Sequence, residues 1–362
     1  MNRRTLALLL GAMVVGACGG APAPIASHSS PSAAPATATP AGPISCRLPV
    51  AGFAISPTKA QLETGATVGD QRGTGGFLDL PSGHFTPDQS SDTSYVAASR
   101  VWLPVSQQAV SPDQRSYIES RAPQVSAAPP TTTLYLVQVA TGASRLLFTA
   151  PAGQMAVVLA FTSKGIYVET VSSTGPSTAA QLLVIDAATG LHHAVAGAET
   201  PSTVIYSVYT AISGEYAWGT RITGSQEQPL YQLVRLDLTR GTVVVWNHSA
   251  TMPYFATGFD GAGHPIVNGM LIPPAGGQAD LRLLSAPDQS TPISITGGTF
   301  LQGRGNAVND THGTWFGSAD GSIWLYSAAK GLEKMANVPP QAGGTGDPYD
   351  QHAWRSVAGP CT

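Results

Sequence analysis

A chain of 362 residues has room for one large domain or two ordinary ones, and its 43% hydrophobic residues suffice for a core. Charged residues are scarce at 11%, the formal net charge is −3 and no cluster of Lys and Arg occurs, which excludes nucleic acid as a partner because phosphate binding needs gathered cations. The 40 glycines and 29 prolines favour turns over helices.

Arg3 and Arg4 precede an apolar run from Leu6 to Val15. The run is half the length of a bilayer span, which takes about 20 residues, but it suits the core of an export signal. Val15-Gly16-Ala17-Cys18 follows and resembles the lipobox of bacterial lipoproteins; a plain secretory signal is the alternative. The resemblance implies cleavage before Cys18, lipidation of Cys18 and an anchor in membrane lipid on the extracytoplasmic face of the cell envelope. Several acyl chains on the cysteine matter here, since one chain holds a protein only marginally. Residues 19–44 are almost wholly Ala, Pro, Ser, Thr and Gly, with His28 the one titratable side chain. Such a stretch buries too little apolar surface to offset its ordering entropy, and as a coil it reaches roughly 30 Å. The expected organisation is a signal peptide over 1–17, a lipidated cysteine and tether over 18–45, and a folded domain over 46–362.

From Cys46 onward short apolar runs alternate with Gly, Pro, Asp and Ser, the pattern of strands and turns. One hairpin recurs, with turn positions at 83, 142, 190, 241, 288 and 331, spaced 43 to 59 residues apart. Further strand pairs lie between: Met155 to Val171 around Ser163-Lys164-Gly165, Phe255 to Leu271 around Asp260 to Gly263, and Ala307 to Ser318 around Asp310 to Gly313. A period near 45–50 residues is that of four-stranded propeller blades. The predicted fold is all-β, a single β-propeller, with six blades preferred over seven.

Val110-Ser111-Pro112-Asp113-Gln114-Arg115-Ser116-Tyr117-Ile118, with Leu134 to Gly142 after it, resembles a repeat of TolB-like or WD-like propellers, in which a Ser-Pro-Asp-Gly turn precedes a strand and Asp-x-x-Thr-Gly joins the next two. Gln114 departs from the expected Gly, and Val139 or Ala140 from the expected Asp; Ile185-Asp186-Ala187-Ala188-Thr189-Gly190 restores the second motif. Asp310-Thr311-His312-Gly313-Thr314-Trp315-Phe316-Gly317-Ser318 resembles the Asp-x-x-Gly-x-Trp-x-Gly repeat of sensor-type propellers. Together these imply a fold and no activity.

Besides Cys18 the chain holds Cys46 and Cys361, at the two ends of the proposed domain. An exported protein is permitted disulfides, and a propeller brings its first and last strands together, so the two thiols are expected to pair. In the chain-entropy view such a bridge contributes on the order of 5 kcal/mol.

Catalytic patterns are weak. Gly317-Ser318-Ala319-Asp320-Gly321 has its serine one place too early for a nucleophile elbow. His192 and His193 are adjacent, so in a strand they point to opposite faces and do not share a metal. Asp88, Asp113, Asp186, Asp237, Asp260, Asp288 and Asp320 all sit in or beside turns, where aspartate bonds the following backbone. The tryptophans at 102, 218, 246, 315, 324 and 354 read as filling between blades. No catalytic residue, cofactor or metal is assigned. The expectation is a monomeric, lipid-anchored binding or scaffold module for a protein or glycan ligand. The alternatives are an envelope enzyme (lyase or glycosidase) whose residues converge at the channel mouth, and an extracytoplasmic sensor subunit.

Overall fold

The computed structural model describes residues 43–54, 74–121, 131–172, 181–198, 206–225, 227–269, 280–293, 307–318, 321–338 and 353–362. Cys18, the tether and His28, His352 and Asp320 lie outside the described residues. No helix among the described residues is long and apolar enough to cross a membrane.

The described strands form six blades. Blade 1 contains β1 (Cys46–Ala54), β2 (Gly76–Leu80) and β3 (His84–Pro87). A small hairpin follows, β4 (Ser94–Val96) and β5 (Val101–Leu103), then a 3-10 turn over Gln107–Ala109. Blade 2 has β6 (Ser116–Arg121), β7 (Thr133–Gln138) and β8 (Ser144–Thr149), with Val110 bridged to Tyr117 in the innermost place. Blade 3 runs from β9 (Gln154–Thr162) through β10 (Gly165–Ser172) and β11 (Gln181–Ile185) to β12 (His192–Ala194). Blade 4 comprises β13 (Tyr206–Ser213), β14 (Tyr216–Gly224), β15 (Pro229–Asp237) and β16 (Thr242–Ser249). Blade 5 comprises β17 (Tyr254–Phe259), β18 (Pro265–Gly269), β19 (Asp280–Ala286) and β20 (Gln289–Pro292). Blade 6 is β21 (Val308–Asp310), β22 (Gly313–Gly317), β23 (Ser322–Ser327) and β24 (Gly331–Asn337). The last strand, β25 (Ala353–Val357), joins blade 1 in the order β25-β1-β2-β3.

The six turn positions read from the sequence are the third-to-fourth-strand turns of the six blades, one each. Gly83, Gly142, Gly190, Gly241, Asp288 and Gly331 have φ of 72, 68, 77, 66, 55 and 74°, the left-handed region that glycine enters without a Cβ clash. In four blades the turn closes identically, with Gly83, Gly142, Gly190 and Gly241 donating N–H to the carbonyls of Asp79, Gln138, Asp186 and Asp237. Gln138, rather than Val139 or Ala140, therefore stands where Asp186 stands in the next blade. The longest interval, between 83 and 142, is explained by the β4–β5 hairpin, which sits between blades 1 and 2. Tyr95 and Trp102 pack there on Ala51 and Ala358, while Val96 and Leu103 pack on Val110.

Each blade buries its apolar residues against the next. Ile118, Leu134 and Phe148 of blade 2 meet Ile166, Val168 and Ile185 of blade 3. Leu159 and Tyr167 of blade 3 meet Tyr209 and Leu236 of blade 4, and Trp218 and Trp246 of blade 4 meet Phe259 and Val267 of blade 5. Leu48 and Leu78 of blade 1 meet Trp315 and Leu325 of blade 6. Trp102, Trp218, Trp246, Trp315 and Trp324 are all buried, as expected; the side chain of Trp354 lies outside the described residues. Buried polar side chains fasten neighbouring blades: Glu169 accepts the Tyr209 N–H at 2.6 Å, Thr220 donates to the Tyr254 carbonyl and Thr314 to the Phe259 carbonyl at 2.5 Å. The innermost strands of blades 3, 4 and 5 each carry a bulge in the same place, near Leu159, Thr210 and Thr257. Bulges of this kind sharpen local twist.

The ring closes within blade 1. β1 pairs with β2 through Cys46–Val50 and with β25 through Val50–Ala54. Arg47 and Thr362 exchange backbone hydrogen bonds of 2.8 and 3.1 Å, and Cys46 and Cys361 form a disulfide with Cα atoms 5.6 Å apart, inside the usual range.

Candidate functional site

Alternation of strand direction gives the propeller two rims. The first-to-second and third-to-fourth-strand turns gather at one, the near rim, which also carries Cys46 and Thr362. The strand ends at Ala54, Arg121, Ser172, Gly224, Gly269 and Gly317 lie at the other, the far rim.

Near-rim aspartates hold their own turns. Asp186 accepts the N–H groups of Ala188 and Thr189 and the Thr189 hydroxyl; the hydroxyl bond, then the backbone bonds, lower its pKa. The backbone N–H of Arg240 leads the same effect at Asp237, and the Ser111 hydroxyl leads it at Asp113. Away from that rim, just after β3, Asp88 is likewise lowered, chiefly by the Ser90 hydroxyl, and it also accepts the Trp102 indole N–H at 3.0 Å. Asp260 accepts from the N–H groups of Ala262 and His264. Asp88, Asp113, Asp186 and Asp237, held ionised by these bonds, are poor proton donors near neutral pH. Asp288 differs: it faces His248 Nδ1 at 3.1 Å. Between blades 3 and 4, Lys164 binds Glu215, whose pKa it lowers, and Thr239 donates to the same carboxylate.

The sensor-like segment from Asp310 to Ser318 is the first hairpin of blade 6. Asp310 accepts the Trp315 indole N–H at 2.7 Å, the His312 N–H at 2.7 Å and the Cys361 N–H at 3.0 Å. A Cβ on Gly317 would overlap the Arg355 carbonyl of β25, so glycine there admits the closing strand. The Asp, Trp and second Gly of the motif thus meet the last strand of the ring.

At the far rim, residues that drew no attention in the sequence come together. Tyr254, Gly269 and Asp280 lie in one row across β17, β18 and β19. The Tyr254 hydroxyl donates to Asp280 Oδ2, and Arg282 Nε reaches both Asp280 oxygens at 2.9 Å. Gly269 lets the three strands approach closely, since a Cβ there would stand 2.5 Å from the Met252 Sδ, 3.2 Å from the Tyr254 ring and 3.3 Å from the Asp280 Cβ. Burial, followed by the bond to Asp280, pushes the Tyr254 pKa up to about 12. In blade 2, Arg121 binds Glu119 at 2.6 Å and lies 4.1 Å over the Tyr135 ring. Glu119 lines a cleft of about 470 Å³ between blades 2 and 3, walled by Val105, Ile118, Ala156 and Val158. A second cleft of about 310 Å³ is lined by Phe148, Thr170, Gln181, His192 and His193. There the His192 ring meets the Phe148 ring edge-on at 4.9 Å. Among the described residues, one group of three has metal-ligand spacing, Asp310, His312 and Cys361; it includes neither His192 nor His193.

No family model matches the chain, nor does any curated protein. Among solved structures, TolB from Acinetobacter baumannii aligns over 86% of this chain and 63% of its own, at 13% identity and a TM-score of 0.47. An oligogalacturonate lyase from Vibrio parahaemolyticus aligns over 65% of each chain at 13% identity and a TM-score of 0.41. The β-propeller domain of the Trilobed protease from Pyrococcus furiosus aligns over 73% of this chain and 77% of its own, at 11% identity and a TM-score of 0.43. The chain spans less than two thirds of the length of the first two. At such identity the likeness is one of architecture.

Proposed function

We propose that this protein is an extracytoplasmic lipoprotein, anchored through Cys18, whose propeller binds a protein or glycan partner at its far rim as a monomer. One observation carries the reading: both chain ends of the described domain, at Cys46 and Thr362, lie on the near rim, so a tether leading to Cys18 departs from that side. On this proposal the opposite rim carries no point of attachment to the tether. The chemistry there suits recognition better than catalysis. Tyr254, with its pKa near 12, stays protonated and serves as a hydrogen-bond donor, and Asp280 is neutralised by Arg282. Arginine and tyrosine side by side, as in Arg121 over Tyr135, make the kind of surface on which binding energy concentrates.

The test places a photo-crosslinking residue at Leu230, exposed at the far end of β15, or at Lys330, exposed at the near rim, in the protein within its own membrane. Adducts from position 230 and none from 330 are expected. Adducts from 330 alone, or from neither, reject the far-rim assignment. In parallel, Cys18→Ser is expected to move the protein from the membrane to the soluble fraction; retention on the membrane rejects the anchor.

A further inference from the structure

The ring closure collects four side chains of metal-ligating type from three distant parts of the chain. Asp310 ends β21, His312 lies in the turn after it, Cys361 follows β25 and Cys46 opens β1. Ligand atoms of Asp310, His312 and Cys361 all lie within 4.8 Å of one another, and the Cys46 sulfur is bonded to that of Cys361. Asp310 Oδ1 and His312 Nδ1 are 3.3 Å apart. That is the spacing of one edge of a zinc tetrahedron, about 3.3 Å for Zn–N and Zn–O bonds near 2.0–2.1 Å. The His312 Nδ1 atom is buried with no directed hydrogen bond, which is costly for a ring nitrogen and leaves a lone pair available to a metal. Trp315, buried, and Ile44 and Met335, partly buried, belong to the same apolar cluster as Cys46 and Cys361, so the sulfur side of the site is lined by apolar groups.

We propose that, when the disulfide is reduced, Cys46, Cys361, His312 and Asp310 bind one zinc ion, so that the ring is held shut by a metal instead of by a sulfur–sulfur bond. Two thiolates, one imidazole and one carboxylate form a set suited to zinc, which prefers sulfur and nitrogen in tetrahedral array. The change of state balances. A dithiol reductant delivers two electrons and two protons, the bond between the cysteine sulfurs breaks, and the reductant closes its own disulfide. Zinc then displaces the two thiol protons to solvent. The paired cysteines thus keep the closure in either redox state, and the exported domain does not depend on one oxidising compartment to hold its ends together.

The experiment titrates Co²⁺, then Zn²⁺, into the full chain in its disulfide form and after reduction with a thiol-free reductant. One equivalent of Co²⁺ with a thiolate-to-metal absorption band and tetrahedral visible bands is expected in the reduced form and absent in the oxidised form, with Zn²⁺ bleaching both. His312→Ala is expected to weaken binding at least about tenfold. Reduced protein that stays folded by circular dichroism yet gives no thiolate band overturns the proposal, as does His312→Ala binding as tightly as the parent. If reduction unfolds the chain, refolding by Zn²⁺ in the parent but not in His312→Ala supports it, and failure of Zn²⁺ to restore the fold overturns it. Cys46→Ala supplies a second measurement, since its unpaired Cys361 keeps three ligands; it is expected to bind Co²⁺ more weakly but with the same band, and loss of the band counts against the site.

Discussion

The backbone N–H of Cys361 donates to Asp310 Oδ2 at 3.0 Å, so a carboxylate in the last blade receives the segment that follows the strand completing the first. The same oxygen takes the Trp315 indole, and Oδ1 takes the His312 N–H. Asp310 is thus a hub whose removal orphans three donors, two of them in the part-buried seam between blades 6 and 1. Each buried donor left unpaired costs roughly 1–3 kcal/mol. Asp310→Ala is therefore expected to destabilise the domain by about 3 kcal/mol, read as a lower urea midpoint at unchanged slope. A loss below about 1 kcal/mol would show that the hub is not needed for closure.

The disulfide acts on the same seam through the unfolded chain. Its sequence separation of 315 places it at the upper end of the chain-entropy effect, on the order of 5 kcal/mol. Cys46→Ser with Cys361→Ser, measured with chelator present so that no metal substitutes, is expected to lower stability by up to that amount. The backbone bonds between Arg47 and Thr362 should still close the ring at low temperature. A double variant as stable as the parent would mean that β25–β1 pairing alone holds the join.

What was legible in the sequence was what a single residue must do locally. A left-handed turn needs Gly, or Asp at position 288, and that requirement gave away one outer hairpin per blade and so the count of six. The bulges near Leu159, Thr210 and Thr257 left no such mark, because an extra residue in a strand can be Leu or Thr alike. The far-rim group was equally silent: Tyr254 and Asp280 are 26 residues apart, and they meet because strands β17 to β19 align them over Gly269. Asp310 was visible as part of a motif, but its service to Cys361 depends on a residue 51 positions later, beyond the closing strand. The Asp-Gly-type turns were readable as structure for the same local reason, and there Asp113, Asp186, Asp237 and Asp260 do bond their own backbones.

Tyr254 sets an alkaline limit. Its folded pKa of about 12 stands above the ordinary value of about 10, so the native state favours the protonated phenol. The resulting stability is fully present below pH 10 and is lost as the pH rises from 10 through 12. Two pH units correspond to roughly 2–3 kcal/mol at most. Stability by urea unfolding should decline across that window, and ultraviolet titration should show a tyrosine ionising near 12. Tyr254→Phe is expected to remove this part of the decline while losing the bond to Asp280 at neutral pH. A Tyr254→Phe profile parallel to the parent's between pH 10 and 12 would place the linkage elsewhere.

Gln114 occupies a place where glycine would be at ease. Its φ is 58°, in the turn between Asp113 and Arg115, and its side chain gives back only a long 3.4 Å bond from the exposed Ala98 N–H. A side chain in the left-handed region costs roughly 1–2 kcal/mol, against which glycine forfeits part through its freer unfolded chain. Gln114→Gly is therefore expected to raise stability by roughly 0.5–1 kcal/mol. Asp288, at φ 55°, supplies the contrast. Aspartate enters this region more readily than glutamine, and its carboxylate also faces His248 at 3.1 Å, so Asp288→Gly should be neutral or mildly destabilising. Thermal unfolding of the two variants side by side decides the matter. If both gain equally, backbone strain alone governs these turns and the Asp288–His248 contact adds nothing; if Gln114→Gly gains nothing, its side chain holds the turn through contacts beyond the Ala98 bond.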